Sequence, residues 1–328
     1  MVQEQAAELQ VAVVGFGRMG AVHAKAWQET AGVRLVAVCD VERSARRGAE
    51  QEGLAAFGCL DEVLDAVSPD MVSVCTPPSS HASLASRCLA KGIHVLCEKP
   101  LTADLASALE LAAAASSSPG KLLVASKFRH VPEVAEARDR LLAGEIGRVT
   151  SFRIEFAARI AMEGRWYADP SISGGGVIID NGWHAFDLIH FLFGGMDSVL
   201  ATAGGAERRL SVEEWAVIDV TAAGGETGQV VLSWCEPAVE DGYLTVRGER
   251  GSLGASWRTY DKWKAHGRMM RCFRDFATGS CQPWTSMEET ADVAAAVDAS
   301  YRSLRSSQRE AVRASTWTAS TFGFLGPR

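Results

Sequence analysis

No stretch of this sequence is apolar for long enough to cross a bilayer, since a spanning helix needs about 20 such residues. No C-x-x-C pair occurs among the eight cysteines. Cys39, Cys75 and Cys97 fall in apolar runs, so the thiols read as free and reduced rather than as a disulfide frame. Metal-ligand spacing is missing too. His184 and His190 stand six apart and would not share a helix face, and no metal is expected. Net charge is −7, with the deficit spread evenly. That leaves no basic region for nucleic acid. The opening MVQEQAAELQ is polar and acidic, unlike a secretory signal. There are no internal repeats. What these absences leave is a cytoplasmic globular protein acting on a small molecule, with neither nucleic acid nor membrane as partner.

What is present divides in two. The 328 residues are too many for one compact core and comfortable for two domains. Through residue 127 the apolar strands LQVAVVG, VRLVAVCD, DMVSVCTP, GIHVLCEKP and KLLVASKF alternate with helical segments. That order predicts a parallel sheet covered on both faces, a doubly wound Rossmann domain over residues 1–127. Over residues 128–328 the style changes. In TSFRIEFAARI, Phe152, Ile154 and Phe156 point one way and Arg153 and Glu155 the other. WAVIDVTAA, QVVLSWC and YLTVRGE continue the alternation. The expectation is an α+β domain with a largely antiparallel open sheet, helices on one face and the other free to pair with a second subunit. Ser286 and Glu289 signal the cap of a late helix. The tail from residue 318 shows no clear element.

GFGRMG at 15–20 follows one strand directly and opens a helix, the context a dinucleotide fingerprint requires. Gly15 allows the tight turn, Gly17 lets a pyrophosphate approach the backbone, and Gly20 lets helix and sheet pack closely. Phe16, Arg18 and Met19 complete the loop, and the helix N-terminus offers amide donors to phosphate. Asp40 ends the next strand, twenty residues past Gly20. It reads as the carboxylate for the ribose hydroxyls, favouring NAD, or as a helix cap. Arg43 lies close enough behind to keep NADP possible.

CTPPSSH at 75–81 and CEKP at 97–100 also end strands. Thr76, Pro77, His81, Glu98 and Lys99 should therefore face the cofactor crevice. GGGVIIDNGWHAFDLIHFLFG at 174–194 places Asp180, His184, Asp187 and His190 inside an apolar run. Asp180 and His184 are spaced to share a helix face. They read either as a buried packing pair or as a histidine poised for proton transfer. Asp187 and His190 read as packing residues, with Asp187 also in reach of His184. The three glycines read as a close approach to ligand or as a plain loop. For the substrate, Lys127, Arg129, Arg159, Arg165, Trp166, Asn181 and Trp183 are candidates, Trp166 as a platform for a sugar ring or as ordinary packing. Glu236, Glu240 and Asp241 could meet an amino group or form a solvated loop.

In GFGRMG, Asp40, CTPPSSH, EKPLT, GEIGRVTSF and GGGVIIDNGWHAFD, taken in that order, the chain resembles the glucose–fructose oxidoreductase / inositol dehydrogenase / rhizopine catabolism (Gfo/Idh/MocA) family. WYADPSISGGG and RGERGSL fit its style, and the likeness covers nearly the whole chain. The resemblance implies Lys99, Asp180 and His184 as the catalytic set, with NAD or NADP as cofactor. In the mechanism it implies, His184 takes the hydroxyl proton of a secondary alcohol, Asp180 orients it, and Lys99 donates to the oxygen. The implied activity is a dehydrogenase or reductase for a sugar, cyclitol or aminosugar-like molecule, in a homodimer or homotetramer built through the second sheet. Two alternatives stay open. One is redox-neutral chemistry on tightly held, recycled NAD. The other is a nucleotide-binding sensor without turnover.

Overall fold

The computed structural model describes residues 8–205, 210–238 and 242–313. Six strands build the first sheet: β1 (Leu9–Val14), β2 (Val33–Cys39), β3 (Ala56–Phe57), β4 (Met71–Val74), β5 (His94–Cys97) and β6 (Leu122–Val124). Between them run α1 (Arg18–Gln28), α2 (Arg43–Gln51), α3 (Leu60–Val67), α4 (Pro78–Leu89) and α5 (Leu105–Ser116). The strands are all parallel, in the order β3-β2-β1-β4-β5-β6. Their Val-rich apolar runs suit burial on both faces. β4 is buried at every position. The order reverses between β1 and β4, so a crevice opens beyond the C-terminal ends of these strands. Sequence periodicity does not announce β3, which is two residues long, or α3 behind it.

The remaining elements are α6 (Pro132–Leu142), β7 (Val149–Ala157), α7 (Pro170–Ser173), α8 (Trp183–Phe193), β8 (Met196–Gly204), β9 (Trp215–Ala222), β10 (Thr227–Ser233), β11 (Gly242–Gly248), β12 (Gly251–Ser256), α9 (Lys262–Ala277), α10 (Met287–Ser306) and β13 (Glu310–Ala311). The strands form a seven-stranded sheet ordered β12-β11-β7-β10-β9-β8-β13. Every pairing is antiparallel except β7 with β10. Phe152, Ile154, Ile218, Val220, Val230 and Leu232 line its buried face, against which α8 and α10 pack. The opposite face carries Val217, Val231, Asp219 and Trp215, the last 39% exposed. β8, β12 and α9 go beyond the sequence reading. The α10 cap is as expected on one side: Ser286 Oγ accepts from Glu289 N at 3.1 Å. The Glu289 side chain pairs with Arg129 instead of closing a reciprocal box. The tail from residue 318 lies outside the described residues.

α9 follows the second sheet in sequence but packs on the first. Its Met269, Met270 and Phe273 share a core with Val11, Val13 and Trp27. The Trp27 and Phe273 rings meet edge-on at 6.2 Å. The eight cysteines are free; Cys39 and Cys97 are buried, and Cys75 is half-buried just past β4. No helix among the described residues is long and apolar enough to cross a membrane.

Candidate active site

The turn after β1 is built by what its glycines exclude and admit. A Cβ on Gly20 would fall 1.9 Å from Gly15 O, and one on Gly15 (φ +88°) 2.7 Å from the Cys75 carbonyl carbon. These two glycines are required by packing and by the left-handed turn. A Cβ on Gly17 would meet nothing within 4 Å, and Gly17 and Arg18 are exposed. The loop therefore opens at its middle glycine, where a dinucleotide pyrophosphate fits against the N-terminus of α1. Asp40 stands beside it. Its Oδ2 accepts from Phe16 N at 2.6 Å and its Oδ1 from Glu42 N at 2.8 Å. Asp40 does not cap α2, whose N-cap position is Glu42. It braces the turn locally, and its oxygens keep lone pairs for ribose hydroxyls. Arg43 is exposed on the first turn of α2, and Arg46 folds back instead, donating to the carbonyls of Asp40 and Val41. Val41 is 82% exposed at the crevice mouth, an apolar surface that the charge pattern around Asp40 and Arg43 hides.

Two residues expected to touch cofactor lie beneath the crevice floor. His81 is fully buried, with Nε2 on Thr76 O at 2.7 Å and Nδ1 on Pro100 O at 3.0 Å. It ties the β4 and β5 turns together and has no ring nitrogen left for a ligand. Glu98 is 7% exposed and bonds His23 and the Lys99 backbone. Burial raises its carboxyl, but the His23 hydrogen bond, with Lys99 and Lys127, outweighs that and holds it down at about 2. Thr76 and Pro77 are half-buried at the end of β4, as expected of a crevice wall.

Lys99 reaches from the end of β5 to the second sheet's leading helix. Its Nζ donates to Asp180 Oδ1 at 2.5 Å and to Asp180 O at 3.2 Å. Burial works against the ammonium, but Asp180 raises its pKa, so Lys99 stays charged. This corrects the expected Asp180–His184 pair. Residues Ile178–Gly182 form a π turn before α8. The wider turn breaks the i, i+4 register, and the Asp180 carboxylate turns to Lys99. Asp187 does not bond His184 either. It accepts from Arg129 Nε at 2.9 Å and from Ser126 Oγ at 3.0 Å. The His184 ring makes no hydrogen bond among the described residues, and Phe128 stands edge-on to it at 4.9 Å. Burial, then Lys99 and Lys127, press its pKa well below the ordinary 6.5, so the ring is neutral.

The three glycines before the π turn serve packing, not ligand approach. Added Cβ atoms would meet Ala103 O at 2.1 Å from Gly174, Tyr301 Oη at 1.9 Å from Gly175 and Glu213 O at 2.1 Å from Gly176. Glu213 Oε1 accepts from Gly176 N, Ile178 N and Tyr301 Oη, at 3.0, 3.0 and 2.8 Å. That half-buried carboxylate anchors the turn that carries Asp180. Neither Glu213 nor Tyr301 shows in any local pattern, because their partners lie 35 to 125 positions away.

The substrate candidates separate. Lys127 borders the site: burial, then Lys99 and Arg18, lower its ammonium to about 8 against the pull of Glu98. Asn181 is half-buried and donates to Phe156 O at 3.3 Å. Trp166 stacks on Tyr167 at 3.7 Å, and Tyr167, missed from sequence, is the ring that feels the charges of Asp180 and Lys99. Arg159 is largely exposed, donating to Cys235 O and pairing with Glu236 at 3.7 Å; Arg165 is exposed and Trp183 buried. Glu240 and Asp241 lie outside the described residues. Arg129 is not a substrate ligand. It is 1% exposed and paired with Asp187 and Glu289. His190 also packs, on Asp292 at 3.1 Å. Removing Asp187 would take away the more buried of the two carboxylates that balance Arg129. We expect Asp187→Ala to lose about 3–5 kcal/mol of stability, read by urea unfolding. A loss below about 1 kcal/mol, the level of an exposed pair, would refute this role.

Known proteins resemble this chain in sequence and in fold. The family model for oxidoreductases with an NAD-binding Rossmann fold matches residues 9–126, and that for the Gfo/Idh/MocA C-terminal domain matches residues 134–254. The rhizopine catabolism protein MocA of Rhizobium meliloti is 31% identical over 189 residues, 56% of either chain. An inositol 2-dehydrogenase of Rhizobium meliloti strain 1021 is 34% identical over 197 residues, 58% of this chain and 57% of that one. The match spans about half the length of these curated relatives. Among solved structures, GenD2 from gentamicin A biosynthesis, in complex with NAD, superposes with a TM-score of 0.85 at 27% identity, over 94% of this chain and 97% of that one. The chain belongs to the Gfo/Idh/MocA oxidoreductase family, with that family's NAD-binding Rossmann fold in its first part and its C-terminal domain in the second.

Proposed function

We propose that this protein is a dehydrogenase or reductase that moves a hydride between NAD and a secondary hydroxyl or ketone of a sugar, cyclitol or aminosugar-like molecule. The carrying observation is the Lys99–Asp180 ion pair set beside a neutral, unbonded His184 at the mouth of a nucleotide crevice. When bound, NAD accepts or supplies the hydride. The chain's own residues handle the proton and the charge. His184 offers a bare ring nitrogen to the substrate hydroxyl and takes its proton. Lys99, kept cationic by Asp180, donates to the oxygen as negative charge builds there. In the reverse direction the same histidine returns the proton. Lys127 adds a second cation at the site. The relatives support the substrate class, since they include an inositol dehydrogenase. Asp40 supports NAD over NADP, because a 2′-phosphate would meet its carboxylate. Association through the exposed sheet face bearing Trp215 and Val217, and a cytoplasmic location, belong to the same proposal.

The test is absorbance at 340 nm with NAD or NADP and a panel of cyclitols, hexoses and aminosugars, then NADH with the matching ketones. Reduced nucleotide appearing with one class supports the reading. Silence in both directions, with NAD shown to bind, refutes it. The histidine adds a pH signature. A general base must be neutral, and a lowered pKa keeps it neutral further into acid. We expect the acid limb of kcat/KM for oxidation to lie well below 6.5. A limb at the ordinary histidine value would rule out His184, as it stands here, as the base.

A further inference from the structure

We propose that His23, on α1, is a positioning residue for Lys99, acting through Glu98. The proposal rests on the dehydrogenase reading only in treating Lys99 as catalytic.

Lys99 is held at two points. Its Nζ is fixed by Asp180, and its backbone N donates to Glu98 Oε2 at 3.1 Å. The other oxygen, Glu98 Oε1, lies 2.9 Å from His23 Nε2. A carboxylate only accepts, so His23 donates through Nε2–H. His23 is fully buried and Glu98 nearly so. A buried carboxylate needs its partners, and here they are divided. His23 holds one oxygen from beneath, while Lys99 and Lys127 draw on the charge from the crevice side. Without His23, the loosened oxygen would turn toward those ammonium groups, and the carboxylate would rotate off the Lys99 peptide. His23 thus fixes the plane of Glu98, and Glu98 fixes the strand end from which Lys99 reaches.

The helix that does this is the one whose N-terminus faces the cofactor loop. Gly17 is its N-cap, and His23 follows six residues later. One rigid element therefore sets both the nucleotide loop and the lysine. α9 closes the far side: His266 stands edge-on to His23 with ring centroids 6.0 Å apart, its own Nδ1 donating to Lys262 O at 2.6 Å. Nothing in the assigned chemistry uses His23, Glu98 or His266, yet all three are buried at this seam.

The experiment is trace acetylation of the intact protein with acetic anhydride, reading Lys99 by mass spectrometry, together with steady-state kinetics. Loss of one buried donor and a shift of the lysine tether predict that His23→Ala raises Lys99 acetylation by about fivefold or more and lowers kcat by about tenfold. KM for NAD should stay within about twofold, because the phosphate loop keeps its own contacts. His23→Gln places an amide N–H at the donor position and should restore both readouts, which a merely space-filling role would not require. A folded His23→Ala protein that acetylates Lys99 at the wild-type rate overturns the proposal, as does failure of His23→Gln to rescue. Should His23→Ala not fold, His23→Leu fills the space on α1 without supplying a donor to Glu98. The same rise in labelling is expected there, and unchanged labelling overturns the proposal. If no polyol or ketone is turned over, the dehydrogenase reading falls, while the acetylation result still decides the role of His23.

Discussion

Replacing Lys99 by alanine is expected to lower kcat by about 10³-fold, the upper range for loss of one donor at a developing oxyanion. The substitution removes the ammonium and also leaves the Asp180 carboxylate, only 13% exposed, without its ion pair. Both effects raise the barrier in the same direction, because an unpaired carboxylate next to the reacting oxygen opposes negative charge there. Nucleotide affinity should change by no more than a few-fold. The loop at Gly15–Gly20 and the Asp40 carboxylate sit at the ends of β1 and β2, and neither bonds Lys99. Turnover at 340 nm and a separate NAD titration check the two halves. A variant whose kcat stays within tenfold of wild type would show that Lys99 is not the oxygen's donor. Loss of both turnover and NAD binding would show instead that Lys99 supports the fold of the crevice.

Two glycines three positions apart should fail in opposite ways when changed to alanine. At Gly20 the new methyl would lie 1.9 Å from a backbone oxygen that belongs to the same turn. A main-chain atom cannot swing aside, so α1 must part from β1. We expect Gly20→Ala to cost more than about 4 kcal/mol, enough to remove most of a domain's stability. At Gly17 the methyl meets no protein atom within 4 Å. We expect Gly17→Ala to keep the wild-type melting temperature to within about 2 °C, yet lose about 100-fold or more in NAD affinity, about 2.7 kcal/mol. The methyl would occupy the space a pyrophosphate needs. Melting curves and NAD titrations on both variants separate the outcomes. Unimpaired NAD binding by Gly17→Ala would mean that the dinucleotide does not cross the loop at that glycine.

The first sheet was legible because each buried parallel strand leaves an unbroken apolar run with its helix behind it. Five of its six strands show this way; β3, at two residues, is too short to. The cofactor loop was legible because spacing alone separates a tight turn, an open glycine and a packing glycine. The candidate catalytic residues can be named from the sequence, but not the bonds they make. Asp180 and His184 suggest each other only while the helix between them is α-helical, and the π turn removes that premise. The Asp180 partner, Lys99, is 81 residues away. Glu213 and Tyr301 anchor the same turn from further along the chain, 35 and 125 residues from amides they hold. His81 and Glu98 sit at strand ends as expected. What no pattern records is whether a side chain there rises into the crevice or turns beneath it. His81 turns down because three backbone carbonyls wait for its two nitrogens.

The return of α9 to the first sheet limits how such chains can be cut and recombined. The nucleotide-binding half is not a cassette that ends near Lys127. A fragment stopping there would bare Trp27 and the α1 surface that Met269, Met270 and Phe273 cover. A chimera that grafts another relative's substrate sheet onto this chain would need to keep α9 with the sequence that precedes Lys127, and splice on both sides of the graft. Diversification then has an insertion-like shape. The second sheet, with the α10 and β13 that follow α9 in sequence, is exchanged as one set around it, while the first sheet and α9 must change together or not at all.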